Sequence, residues 1–293
     1  LLVGDKIYDD WESYNEYFKG KWYEIGQMKE PVDDFLLDDL KYFINLKELA
    51  LDLQNVDSLD GIENLPLKKI SVAMNNLTDV TPLTEIETLE IIRISNNPIE
   101  SLEGFENLKN VEYLHVMDTR IDDMMPVVNY PLKELNCSYS QVANYTFLES
   151  LESLRILCIS GVSKETIQYI NTLVDLNELI IVHSEIESLS QLVNLTDLTA
   201  LDVSNCTMLT TLEGVENFEK LQYIAIVNTN ISDITPIKNL QNLYTFEPSY
   251  APITDFTPLL ECPAFNNMYI NRDLAGIAKE QLKERRITYN IVD

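Results

Sequence analysis

Apolar positions along this chain recur in one frame. Its plainest copy is Leu89 to Leu108, LEIIRISNNPIESLEGFENL, in which Leu89, Ile92, Ile94, Asn97 and Ile99 hold the fixed places and Leu102, Phe105 and Leu108 extend the apolar set. The frame begins again at Leu46, Leu67, Val111, Leu132, Leu154, Leu176, Leu198, Leu221, Leu243 and Phe265, at intervals of 21 to 23 residues. Within each copy a short stretch such as Ile92-Arg93-Ile94 alternates apolar and polar residues, the period of a strand with one buried face. One such strand cannot bury that face alone. Stacked in parallel at about 4.8 Å, the eleven strands predicted by these frames share one core, and each meets mainly its neighbours.

A repeat of this length is the leucine-rich-repeat signature. The place of Asn97 is filled elsewhere by Gln54, Asn75, Thr119, Ser140, Val162, Ser184, Cys206, Thr229 and Ala251. An amide there satisfies backbone groups at the bend after the strand. Since few copies keep it, the hydrogen-bonded ladder is expected to break in places. The return segments come in two versions. One carries Thr-Pro, as in Asp79 to Leu83, Asp233 to Ile237 and Asp255 to Leu259; the other resembles Leu59 to Asn64. Both are too short for a long helix and predict turns and 3₁₀ pieces on the convex side. Ser163 to Leu173 has helical spacing instead, with Ser163 placed to cap it.

The ends differ from the repeats. Residues 1–45 read as an N-terminal cap: Trp11, Tyr14, Tyr17 and Phe18 follow helical spacing, and a second helical pattern follows Pro31 with Phe35, Leu36, Leu40 and Phe43. An open solenoid end exposes its core and a strand edge, so a cover is needed. An aromatic binding site is the sharper alternative for this segment. Residues 46–270 are the repeats, and residues 271–293 a C-terminal cap. There Asp273 can cap a helix through Ala275, Ile277, Ala278 and Leu282, and Ile287 to Ile291 alternates as a strand returning by a right-handed crossover. The expected fold is therefore α/β: a leucine-rich-repeat solenoid with a parallel concave sheet, short convex 3₁₀ and turn segments, a helical N-terminal cap and a helix-plus-strand C-terminal cap.

Charge narrows the partners. With 48 acidic against 21 basic residues the net charge is -27, which disfavours nucleic acid and anionic membrane surfaces. It serves solubility and would suit a basic partner. There is no run of eighteen apolar residues, so no membrane insertion is expected, and no signal-peptide pattern. The chain starts at Leu1, which reads as a processed or trimmed product. Cys137 falls on an inward strand position, Cys158 on an outward one, Cys206 in the asparagine place and Cys262 between the last two repeats; four thiols are expected.

Catalytic chemistry is not expected. His115, Asn136 and Cys158 share one outward position in three consecutive repeats, which invites a papain-like reading. Two strand spacings part the histidine from the cysteine, roughly 10 Å between Cα atoms, and the asparagine stands between them instead of behind the histidine. His183 is the only other histidine, no cysteine pair has zinc-ligand spacing and no glycine loop suits phosphate. No catalytic residue, metal or cofactor is assigned. The outward positions carry a different signal: Ile91, Tyr113, His115 and Met117, then Ile156, Ile180 and Val182, then Tyr223 and Val227, with Glu134, Glu178, Asp202 and Glu247 among them. Apolar side chains on a solvent-facing sheet lack a core to explain them, and contiguous patches mark interfaces. Scattered single exposures would be ordinary.

Ile224 to Leu240, IAIVNTNISDITPIKNL, and Ile70 to Leu83 resemble the internalin-like class of bacterial leucine-rich repeats, over residues 46 to 270. The resemblance implies a secreted or surface-attached binding module that recognises proteins with its concave face. The chain shows no cell-wall sorting motif and no immunoglobulin-like region after the repeats. Cytosolic repeats that regulate phosphatases share the period, so a cytoplasmic scaffold is the alternative. The expectation is a monomer binding a protein or peptide, with basic character favoured, outside the cell. Carbohydrate binding would use Tyr113, Tyr223 and Tyr269 as stacking platforms.

Overall fold

The computed structural model describes residues 44–238 and 240–292, together with the short strands β1 (Leu2–Val3) and β2 (Lys6–Ile7), which pair antiparallel. The helices expected around Trp11 and after Pro31 lie outside the described residues. The chain divides into two compact units, Leu1–Phe147 and Leu148–Asp293.

In the first unit, the predicted strands are β3 (Glu48–Ala50), β4 (Lys69–Ser71), β5 (Ile91–Arg93), β6 (Tyr113–His115) and β7 (Glu134–Asn136). They pair in parallel, each with the next. The alternation that predicts them also decides which way they face: Leu49, Ile70, Ile92, Leu114 and Leu135 are wholly buried, one per strand. Return segments add Leu83, Phe105 and Val127 to the same core from 3₁₀ turns at Thr81–Glu85, Phe105–Asn107 and Met125–Val127. Asp79 and Asp123 shape two of these turns by accepting the backbone N–H two residues on, at 2.8 Å each.

The expected breaks in the asparagine ladder are mostly bridged. Asn75 donates to the carbonyls of Leu51, Val72 and Ala73 at 2.8 to 3.2 Å and accepts from the N–H groups of Gln54 and Val56, both at 3.0 Å. Asn97 repeats the pattern one turn on. Where the amide is missing, the Thr119 hydroxyl donates to the Val116 carbonyl at 2.8 Å and Ser140 to the same oxygen at 2.6 Å. Just before this ladder the backbone takes positive φ at Met74, Asn96, Asp118 and Tyr139. Asparagine and aspartate adopt that region readily, whereas tyrosine does so at a cost.

The second unit repeats the scheme with β8 (Ile156–Ser160), β9 (Glu178–Val182), β10 (Ala200–Asp202), β11 (Tyr223–Ala225), β12 (Thr245–Glu247), β13 (Asn267–Asn271) and β14 (Thr288–Val292). All are parallel to their neighbours within this unit. Leu157, Leu179, Leu201, Ile224, Phe246 and Met268 form its central buried line. Cys206 stands in for the asparagine, its thiol donating to the Ile181 carbonyl at 3.0 Å, and the Thr229 hydroxyl does the same for Ile226 at 2.9 Å. Gly214 opens one 3₁₀ turn at φ +99, where a Cβ would meet the backbone nitrogen of Ser190 at 2.3 Å, so no other residue fits without displacement.

Two local expectations need correction. The helix in Ser163–Leu173 is a single turn, α1 (Ile167–Ile170), flanked by Thr166 with no side-chain cap; Ser163 contributes its carbonyl to the Thr166 N–H instead. Near the chain's end, α2 (Arg272–Gln281) begins after Asn271, so Asp273 lies inside its first turn, where a carboxylate favours the helix dipole, and not at the cap. Arg285, after α2, donates to the carbonyls of Leu259, Cys262, Pro263 and Phe265 at 2.7 to 3.1 Å. The planar guanidinium thereby gathers several carbonyls of one return segment. All four cysteines are buried thiols.

Candidate partner-binding face

Strand register aligns the outward side chains into parallel files. In the first unit one file is Glu48, Lys69, Ile91, Tyr113 and Glu134, and the next is Ala50, Ser71, Arg93, His115 and Asn136. Ile91 and Tyr113 are direct cross-strand neighbours, and His115 stands between Arg93 and Asn136. Met117 lies just past β6, its N–H donating to the Ser95 hydroxyl at 3.1 Å. All four predicted residues of this unit are half-buried.

The charges here are matched within the unit, through Glu48, Lys69, Arg93 and Asp52, which the apolar pattern does not single out. Lys69 Nζ lies 3.0 Å from Glu48 Oε1, and His115 Nε2 lies 2.7 Å from Glu134 Oε1. Burial works to raise the Glu134 carboxyl, but the hydrogen bond and charge of His115 and the charge of Arg93 outweigh it and hold the group below its ordinary value. His115 is thus engaged by a carboxylate. The Asn136 Oδ1 accepts the Ser138 N–H at 3.1 Å. Asp52 Oδ1 accepts from the Ser71 hydroxyl at 2.8 Å and the Ala73 N–H at 2.7 Å.

Burial pushes Asp52 from its ordinary 3.8 up to about 6, against the pull of those two hydrogen bonds and of Arg93. A carboxyl whose folded value lies above its unfolded one stabilises the fold while protonated, and loses that contribution as pH rises through the folded value. The loss therefore sets in above about pH 4 and is complete above about pH 6. Asp52→Asn keeps an acceptor oxygen and removes the charge. It is expected to raise the melting temperature at about pH 7.5 and to leave it unchanged or lower at about pH 4. A melting shift of equal size at both pH values would reject Asp52 as the source.

In the second unit the files are Ile156, Glu178, Ala200, Tyr223 and Thr245, and Cys158, Ile180, Asp202, Ala225 and Glu247, with Val182 opposite Ser160. Ile156, Ile180, Val182, Tyr223 and Val227 are half-buried, while Cys158 is buried despite its outward position. Val227 lies two residues past β11, and its carbonyl accepts the Asn205 N–H at 2.8 Å. Ile180 is flanked by Cys158 and Asp202, and Tyr223 by Ala200 and Thr245. The apolar side chains are thus interleaved with polar ones instead of forming one unbroken stripe.

The carboxylates of this face have different company. The Tyr223 hydroxyl donates to Glu247 Oε2 at 2.9 Å, and Asp202 Oδ1 accepts the Ser204 N–H at 2.8 Å. Burial raises Asp202 against its bonds to Ser204. Burial likewise raises Glu247, opposed by the Tyr223 hydrogen bond and reinforced by the Asp202 charge. Burial, then the charges of Glu247 and Asp202, lift the Tyr223 phenol far above the usual range. Among the described residues no group of three or more His, Cys, Asp or Glu could hold a metal ion, and no helix is long and apolar enough to cross a membrane.

No protein-family model matches this sequence, and no curated protein does. Solved structures do match. An internalin (inlF) of Listeria monocytogenes superposes with a TM-score of 0.67 at 21% identity, over 95% of this chain and 90% of that one. The fold is an internalin-like leucine-rich-repeat solenoid. A leucine-rich-repeat protein of Leptospira interrogans is similar over 86% of this solenoid and 75% of its own chain, with a TM-score of 0.61 at 15% identity. The TLR13 chain of a TLR13–ssRNA13 complex also gives a TM-score of 0.61, at 17% identity, over 84% of this chain and 40% of TLR13. At these identities the likeness establishes the fold of the repeats, and function must be argued from the side chains.

Proposed function

We propose that this solenoid is a non-catalytic module that binds a protein or peptide on the outward face of its sheet, outside a bacterial cell. One observation carries the reading: Tyr113, Ile156, Ile180 and Tyr223 stand half-buried on strand positions turned away from the leucine core. Their burial by neighbours holds them in place before a partner arrives, which lowers the ordering cost of binding. Tyrosine is among the residues that dominate interface energetics when desolvated. The internalin-like fold supports an extracellular or cell-surface setting. The likeness to TLR13 brings no nucleic acid to this chain, since a net charge of -27 opposes a phosphate backbone.

The test is a pull-down from host-cell lysate followed by titration of the captured partner. Tyr113→Ala and Tyr223→Ala should each weaken binding about tenfold, near 1.4 kcal/mol, with unchanged thermal unfolding. Lys238→Ala, on an exposed return segment where it pairs with Glu261 at 2.8 Å, should change affinity less than about twofold. Loss of binding in Lys238→Ala with neither tyrosine mattering would place the partner elsewhere. Secretion of the full-length gene product is checked directly by fractionating the culture; retention in the cytoplasm would favour the intracellular scaffold.

A further inference from the structure

We propose that the outward face of strands β8 to β12 receives a partner segment that carries a lysine or arginine between apolar residues, with the cation seated between Asp202 and Glu247. This rests on the docking reading above and adds the chemistry of the partner and the strands that meet it.

Register places the two carboxylates. Asp202, Ala225 and Glu247 are consecutive cross-strand neighbours, so Asp202 and Glu247 stand two strand spacings apart, roughly 10 Å between Cα atoms. Only a methyl lies between them in that file. The Tyr223 side chain reaches from β11 to Glu247, putting an aromatic ring beside both acids. A lysine or arginine laid across this position meets a carboxylate on each side and a ring face, and its aliphatic stem finds the apolar surface of Ile180 and Val227.

The charge balance of the face points the same way. In the first unit the outward acids Glu48 and Glu134 have cations at 3.0 and 2.7 Å, Lys69 and His115. Among the described outward positions of β8 to β14 stand Glu178, Asp202 and Glu247 but no lysine, arginine or histidine. Asp202 and Glu247 hold neutral donors instead, the N–H and hydroxyl of Ser204 and the phenol of Tyr223. A partly buried carboxylate without a counter-charge is costly, and an incoming cation relieves that cost in the complex. Burial already holds both carboxyls above their ordinary values, as groups short of positive charge should be. A neutral or acidic segment would leave them unmatched under a desolvating partner. Selectivity then comes from the charge and contact area from the apolar residues around it.

Phage display of random twelve-residue peptides on the intact chain tests this. Enriched peptides are then measured by fluorescence anisotropy against the parent, D202N, E247Q, the D202N/E247Q double variant, and an E152Q/E219Q control. The control makes the same change in net charge at exposed return-segment positions. The expected result is enrichment of lysine or arginine between apolar residues, at least tenfold weaker binding by the double variant, and less than twofold change in the control. The single variants should each lose part of that affinity, and thermal unfolding confirms that every variant is folded. Peptides without basic residues, or equal losses in the double variant and the control, would overturn the proposal. If Tyr223→Ala and Ile180→Ala abolish peptide binding while D202N/E247Q does not, the face docks partners and the charge assignment alone fails. If no peptide is enriched, or none of these variants matters, the docking reading fails with it.

Discussion

Asn75→Ala is expected to lower the unfolding free energy by about 2–4 kcal/mol, more than any substitution of a surface residue. The amide is buried and makes five hydrogen bonds, to the carbonyls of Leu51, Val72 and Ala73 and from the N–H groups of Gln54 and Val56. Alanine deprives the Leu51 carbonyl and the N–H groups of Gln54 and Val56 of this partner, whereas the Val72 and Ala73 carbonyls keep a donor in Asn97 and Leu53. The penalty falls on groups left unpaired more than on the bond energy lost. Asn75→Thr offers a discriminating comparison. Thr119 and Thr229 occupy the same place in their repeats and donate to the carbonyl three residues before, at 2.8 and 2.9 Å. Threonine at 75 should therefore restore the bond to Val72 and recover a measurable part of the loss. Chemical denaturation of the three proteins reads this out. Equal midpoints for the parent and Asn75→Ala would show that the ladder contributes nothing to stability.

Leu157→Ala is expected to cost about 2–5 kcal/mol through lost burial and the cavity left behind. Leu157 is fully buried in β8 and lies in register with Leu179 of β9, also fully buried. Its neighbour Ile156 points the other way and is half-buried. Ile156→Ala should accordingly cost about 1 kcal/mol or less, since fewer contacts are lost and no closed cavity forms. The contrast between adjacent residues checks the register itself, because a slip of one residue exchanges every inward side chain for an outward one. Equal destabilisation by the two substitutions would reject the assignment on which the candidate face depends. Hydrogen exchange should show the loss of protection concentrated near β8 and β9, as expected when repeats interact mainly with their neighbours.

The candidate face is partly legible in the sequence. Alternation within Ile92-Arg93-Ile94 or Leu201-Asp202-Val203 assigns one side to the core, and the repeat spacing aligns Ile91 with Tyr113 and Asp202 with Ala225. What each outward side chain does is less visible there. Cys158 occupies an outward place beside Ile180 and is nonetheless buried. His115 has the sequence position of a member of a catalytic row, but its ring is held 2.7 Å from Glu134. The asparagine ladder reads as broken, but hydroxyls and a thiol continue it at Thr119, Ser140, Cys206 and Thr229. Position 75 alone does not reveal this, since asparagine, threonine and cysteine share little except a donor of suitable reach.

By itself the amino-acid order determined the repeat, the direction of each strand and the division of side chains between core and face. Those properties depend on period, and period is local: successive residues alternate across a strand, and intervals of 21 to 23 residues bring the chain back to the same place. Tertiary structure decided the rest. Whether Glu134 meets a histidine while Glu247 meets only a phenol depends on which rotamers reach across a strand, from partners 19 and 24 positions away. Arg285 binding the carbonyls of residues 259 to 265 could not be read from its neighbours in the chain either. Hydrogen bonds and charge pairs depend on distances of about 3 Å, and only the folded backbone sets distances that finely between segments far apart in the sequence.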